Sequence, residues 1–159
     1  PTVILLAAGS ARRFGSDKRK AKLNHHKTLL QASIDTIQTT SLPLFVVLAS
    51  GDEDIAHELS AAGMDWAYCP DAHLGMGHSL AFGIESTPKA SGWLIALADM
   101  PFIRSSTFNA VASQLQQHHI VLLQPADGRR GHPVGLNTGF RQQFIHCQCD
   151  PAPRLTINQ

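Results

Sequence analysis

The chain has 159 residues, 43% hydrophobic and 16% charged, with 13 Lys and Arg against 12 Asp and Glu for a formal net charge of +1. That length fits one domain on a scale of roughly 100–200 residues each, and the composition suffices for one core, which excludes disorder driven by charge. The near-neutral balance argues against an unspecific binder of nucleic acid or of a membrane surface, and no apolar run approaches the roughly 18 residues that span a bilayer.

Val3–Ala8 is a continuous apolar run ending at Gly9, the pattern of a strand covered on both faces of a parallel sheet. The run is short and has neither a basic leader nor a small-residue cleavage pattern, so it reads as a strand and not as a secretory signal. From about Thr28 to Thr39, Leu30, Ile34 and Ile37 recur at helical spacing. Leu44–Ala49 is a second buried strand. Ser50-Gly51-Asp52 offers a turn and cap for a helix carrying Ile55, Leu59 and Ala62, with Gly63 as its stop. Asp65–Cys69 is a third strand, Pro70–Gly77 a loop, His78–Ser86 a helix and Gly92–Ala98 a fourth, wholly apolar strand. Ser105 or Ser106 is expected to cap a helix with Phe108, Val111, Ala112 and Leu115 on one face, and Ile120–Gln124 is a fifth strand.

Strand and helix alternate throughout, which predicts an α/β fold with a doubly wound, mostly parallel sheet, helices on both faces and ligands outside the carboxyl ends of the strands. No linker or repeat divides residues 1–159, so one domain is expected. Cys69, Cys147 and Cys149 are an odd set that fits a reducing cytoplasm better than a disulfide framework. The nine histidines include the adjacent pairs His25-His26 and His118-His119, which are not spaced as metal ligands on one helix face. His146-Cys147-Gln148-Cys149 also lacks zinc spacing and reads as a structural tail.

Chemistry concentrates in two places. In LLAAGSARRFGSDK a buried strand opens onto Gly9-Ser10, two arginines, Gly15 and Lys18. Glycines let backbone amides approach phosphate oxygens, and Arg13 and Lys18 add cationic charge where a polyphosphate would lie. The spacing matches neither the dinucleotide fingerprint nor the Walker loop. In Leu97-Ala98-Asp99-Met100-Pro101 a carboxylate follows a fully apolar strand, at the mouth of the sheet, where it can share Mg2+ with substrate phosphates or simply cap a turn. Two further segments, His73–Ser79 and Gly128–Val134, are read as loops facing the same way. No serine nucleophile elbow is present.

These segments, in this order, resemble the MobA-like nucleotidyltransferase domain. LLAAGSARRFGSDK is similar to the family signature L-A-A-G-x-S-x-R-x-G-x-x-K, HLGMGHSLAFGI to G-M-x-x-S-L-x-x-G, LIALADMPFI to the strand ending A-D-M-P, and GRRGHPVGL to G-R-R-G-H-P-V. The resemblance implies a Rossmann-like nucleotidyltransferase fold. The pattern is closest to the molybdenum cofactor cytidylyltransferases, which move CMP from CTP to molybdopterin and release pyrophosphate; guanylyl relatives more often have L-A-G-G where this chain has Leu6-Ala7-Ala8-Gly9. It further implies that Leu6, Ala7, Ala8, Gly9, Ser10, Gly75 and Ser79 lie against the nucleotide. Arg13 and Lys18 would be its catalytic phosphate-binding pair, and Asp99 its catalytic Mg2+ carboxylate. Arg130, His132 and Pro133 would lie beside the acceptor. A molybdoenzyme receiving the cofactor is the implied protein partner.

Residues 1–159 show no counterpart of the family's C-terminal strand and helix, which carry a second metal carboxylate in a D-I-D-T-P-like segment. Cys149-Asp150-Pro151-Ala152-Pro153-Arg154 corresponds to an earlier G-D-x-G-A-R segment, and His25-His26-Lys27 stands where relatives have Gly-Lys-Pro. A relative using GTP or a sugar phosphate, and a nucleotide-binding module that delivers cofactor without turnover, remain open as alternatives.

Overall fold

A computed structural model describes residues 1–8, 27–123 and 131–141. In chain order the elements are β1 (Thr2–Leu6), α1 (Leu29–Gln38), β2 (Leu44–Ala49), α2 (Glu53–Ala61), β3 (Asp65–Cys69), α3 (Met76–Ser86), β4 (Gly92–Leu97), α4 (Ser105–Gln114), β5 (Ile120–Leu123) and β6 (Gly131–Asn137). Short 3-10 turns occupy Ala72–Leu74 and Thr138–Phe140. The strands form one sheet in the order β3-β2-β1-β4-β6-β5. β1 pairs in parallel with β2 and β4, and β2 with β3, whereas β6 runs antiparallel to both β4 and β5. The sheet is therefore doubly wound and mostly parallel, as the alternation predicts.

Continuous apolar strands are required because both faces of the sheet are covered. Val3, Leu5, Val46, Leu48, Leu94 and Ala96 face α1, α2 and α4, while Ile4, Val47, Trp93 and Ile95 face α3. Val3, Ile4 and Leu5 are 0% exposed, each contributing about 1.5–3 kcal/mol on transfer from water. The Trp93 indole, also fully buried, donates to Thr87 Oγ1 at 2.9 Å, which removes the cost of an unpaired N–H. Thr28 and Gln31 form a reciprocal capping box at the start of α1. α2 stops at Gly63, whose φ of +71° suits a residue without a Cβ.

One helix–sheet contact sets the geometry that follows. α3 lies so close to the centre of the sheet that a Cβ on Gly83 would stand 2.8 Å from Ile4 Cγ2 and 3.2 Å from Val47 Cγ2. The helix runs back from β3 to β4, so this contact sets its first turn over the carboxyl end of β1.

Three expectations are corrected. The Gly128–Val134 loop becomes strand β6 from Gly131 onward, because His132, Val134 and Leu136 alternate along one face. Pro133 and two glycines, residues that ordinarily mark turns, conceal that period of two. Gly135 is required by packing: a Cβ there would come within 2.8 Å of Val111 Cγ1 on α4. α3 begins at Met76, two residues before the expected start, and neither Ser105 nor Ser106 caps α4, where Arg104 is the N-cap and no side chain bonds to it.

Candidate functional site

β1 is the switch point of the sheet: the chain leaves it toward β2 and β3 on one side and reaches β4 on the other. Ligands of open α/β sheets bind outside the carboxyl ends of the strands at such a point. The backbone there is held open in an ordered way. Ala7 N–H donates to Val47 O at 2.9 Å and Ala98 N–H to Leu6 O at 3.2 Å, so pairing continues just past the last residues of β1 and β4. Leu6, Ala7 and Ala8 are buried at 7%, 1% and 7% exposure, with only small side chains at the two final positions. Among the described residues the end of β1 thus offers backbone and two methyl side chains at the carboxyl edge of the sheet.

Asp99 follows immediately and is exposed. It sits in a tight turn closed by Met100 N–H donating to Leu97 O at 3.3 Å, and Ser33 Oγ on α1 donates to Ala98 O at 3.4 Å, tying the turn to the helix. The turn that carries Asp99 is thus held by backbone bonds at the end of β4.

Because β6 is antiparallel, its first residues lie where β4 ends. The register runs from Gly92 with Asn137 to Ile95 with Val134, which brings the start of β6 beside the end of β4. His132 alternates with Val134 and Leu136 on the face covered by α3 and is half-buried. Burial pushes its imidazole below the usual value, and the charge of Asp99 pulls it part of the way back up. Pro133 is buried on the other side of the strand. This juxtaposition was missed in the sequence; the 132/134/136 alternation is the signal that carries it.

Above the same face stands the first turn of α3. Gly75 holds its N-cap at φ +133°, a conformation that L side chains rarely adopt, and no side chain caps the helix. His78 N–H reaches Gly75 O at 3.2 Å, leaving the amides ahead of it at the positive end of the helix. Ser79 is 4% exposed. The buried Cys69 thiol at the end of β3 donates to His78 O in this turn at 3.8 Å and is pushed up by burial. Cys69 therefore ties the turn to β3, with Ser79 buried beside it. Leu74 and Met76 beside this turn, and Phe102 in the β4–α4 connection, are large apolar side chains left 57%, 56% and 80% exposed.

Gly9, Ser10, Arg13, Lys18 and Arg130 lie outside the described residues, as do the His25-His26 pair and His146–Cys149. Among the described residues no group of three or more His, Cys, Asp or Glu converges on a metal position. His119 of the other histidine pair engages Asn137 Nδ2 through Nδ1 at 2.6 Å. No helix among the described residues is long and apolar enough to cross a membrane.

Comparison with known proteins gives the same architecture. The family described as MobA-like NTP transferase domain matches residues 3–157. The bifunctional protein GlmU of Psychrobacter sp. (strain PRwf-1) is 28% identical over 137 residues, which are 85% of this chain and 29% of that protein; the chain thus spans less than a third of the length of this relative. Rv0371c from Mycobacterium tuberculosis H37Rv superposes with a TM-score of 0.83 at 23% identity, covering 94% of this chain and 77% of that one. Its complex with manganese gives 0.79 at 21% identity over the same shares. Molybdopterin-guanine dinucleotide biosynthesis protein A from Archaeoglobus fulgidus gives 0.67 at 16% identity, covering 91% and 71%. At these identities the structural likeness establishes the fold.

Proposed function

The chain belongs to the MobA-like NTP transferase domain family, and from that premise we propose that it transfers CMP from CTP to molybdopterin with release of pyrophosphate. The observation that carries this reading is the convergence, at the switch point, of small buried residues at the end of β1, an exposed Asp99 and the start of β6. Floor, carboxylate and acceptor-side strand are thus adjacent.

In this reading Leu6, Ala7, Ala8, Gly9 and Ser10 lie along the nucleotide, with Gly75, Ser79 and the amides of the α3 first turn above it. The Ala8 methyl occupies the position where guanylyl relatives more often have glycine, which favours cytosine. Arg13 and Lys18 draw the triphosphate into the crevice and hold its charge as it is redistributed. Arg130, His132 and Pro133 flank the acceptor.

The donor set suits a divalent cation completed by substrate: an exposed carboxylate, with no group of three or more His, Cys, Asp or Glu around it among the described residues, is how Mg2+ is usually held, with phosphates and water filling the remaining positions. Such a cation, when bound by Asp99 and the triphosphate, supplies charge neutralisation at the reacting phosphates. A manganese complex of Rv0371c is in keeping with a divalent metal in this fold. The acceptor's terminal phosphate oxygen attacks the α-phosphorus of CTP, the bond from that phosphorus to the bridging oxygen breaks, and pyrophosphate leaves. No covalent bond to the protein forms, so the residues act by alignment and charge. The cytidylylated cofactor would then pass to a molybdoenzyme in the cytoplasm.

Pyrophosphate release from CTP, GTP, ATP and UTP, each with Mg2+ and molybdopterin, tests the assignment. Release with CTP alone is expected. Release with GTP alone would replace the base assignment, and release only with a sugar phosphate as acceptor would replace the acceptor.

A further inference from the structure

Leu30, Ser33, Ile34 and Ile37 are the buried side chains of α1, and Ser33 alone among them is polar. It is 5% exposed and lies beside Leu5, Ala96 and Leu97 of the sheet. A hydroxyl buried on such a stripe costs free energy unless it is bonded, and alanine would fill a helix interior at no such cost. The hydroxyl has one proton and two acceptors in reach: Leu29 O, one turn back, at 3.0 Å, and Ala98 O at 3.4 Å. A carbonyl inside a helix already receives the backbone N–H four residues on, whereas Ala98 lies past the last residue of β4, where no helix ladder serves it. Ala98 N–H donates to Leu6 O at 3.2 Å and Met100 N–H to Leu97 O at 3.3 Å. The residues on both sides of Asp99 are therefore held, one to β1 and one within the turn, and Ser33 adds a tie from the helix layer.

We propose that Ser33 is a positioning residue for Asp99: its hydroxyl, bonded to Ala98 O, fixes the backbone that carries the carboxylate and so sets the affinity of the cation site without touching the cation. The proposal rests on the reading of Asp99 as the carboxylate of a divalent cation. Among the described residues no group of three or more His, Cys, Asp or Glu shares that task, so affinity depends on where this one carboxylate stands. Partners one step removed from a metal ligand commonly change affinity by about 10–100-fold, and a tie through the neighbouring carbonyl belongs at the low end of that range. Thr36, one turn further along α1, is the natural comparison, because its hydroxyl donates to Ala32 O at 3.1 Å, within the helix.

Mn2+ binding to the full chain in the presence of CTP, followed by the electron paramagnetic resonance signal of the free ion, tests this without turnover. Affinity is expected to fall about tenfold in Ser33→Ala and to stay at the wild-type value in Thr36→Ala, with CTP affinity unchanged in both. Ser33→Cys, which fills the same space with a weak donor, should show the same fall. Asp99→Asn should lose tight binding, and adding Ser33→Ala to it should change nothing further, since a residue that acts through the carboxylate has no effect once the carboxylate is gone. Amide exchange of the metal-free protein should be faster at Ala98 and Met100 in Ser33→Ala and unchanged there in Thr36→Ala. Wild-type affinity in Ser33→Ala and Ser33→Cys, equal losses in Ser33→Ala and Thr36→Ala, or a further loss in the double variant would each overturn the proposal. Binding that depends on Asp99 and not on Ser33 would do so while leaving the reading of Asp99 standing. Binding unchanged in Asp99→Asn, or no Mn2+ bound by the wild type, would remove both.

Discussion

Asp99 and His132 owe their proximity to different kinds of information. Asp99 is legible in the chain, since a carboxylate placed directly after six apolar residues has to emerge at the end of a buried strand. The place of His132 depends on a strand pairing partner forty residues away in sequence, and no local pattern states that β6 returns against β4. Its environment has a measurable consequence. Burial lowers the folded-state value of His132 below the ordinary 6.5, so folding disfavours the protonated ring. The stability due to the neutral ring is complete above about pH 6.5 and is lost as pH falls from there through the depressed folded value. Thermal melts between pH 7.5 and 5 should show a decline that is shallower in His132→Gln; parallel declines in the two proteins would mean that His132 is not the group responsible. Arg13 and Lys18 are legible as residue types in a glycine-rich loop, and their assignment to the phosphates rests on that pattern and on the family match.

Among the elements, existence and order were legible, and ends were not. Every expected strand and helix among the described residues is present, because continuous apolar runs and 3.6-residue periodicity are intrinsic to buried strands and amphipathic helices. Caps were harder. Thr28 with Gln31 closes α1 reciprocally, whereas Ser105 and Ser106 fall inside α4 and bond to no cap position. Replacing Thr28 by Ala should therefore cost about 1 kcal/mol, while Ser106→Ala should change stability by less than about 0.5 kcal/mol. Urea denaturation midpoints check this, and a larger loss in Ser106→Ala would contradict the cap assignment. β6 escaped notice because its alternation is carried by only three side chains, separated by Pro133 and by Gly135, whose lack of a Cβ is demanded by Val111 from across the layer. A residue chosen by its tertiary neighbour looks, in one dimension, like a turn.

At the level of the whole molecule, the two-sided winding around β1 places one open edge where strand ends, helix start and returning strand meet. α3 is held against the sheet by the close approach at Gly83, and the β4–α4 connection carries Asp99 and the exposed Phe102. The fold class follows from alternation alone; the site follows only once the reversal of β6 is known. Nucleotidyl transfer is read most directly by following label from CTP carrying 32P at the α position, incubated with the chain, a divalent cation and molybdopterin. Label is expected in a molybdopterin dinucleotide, with unlabelled pyrophosphate released in equal amount, and transfer is expected to be lost in Asp99→Asn although that variant melts like the wild type. Binding of all four nucleotides without transfer of label from any of them would contradict it.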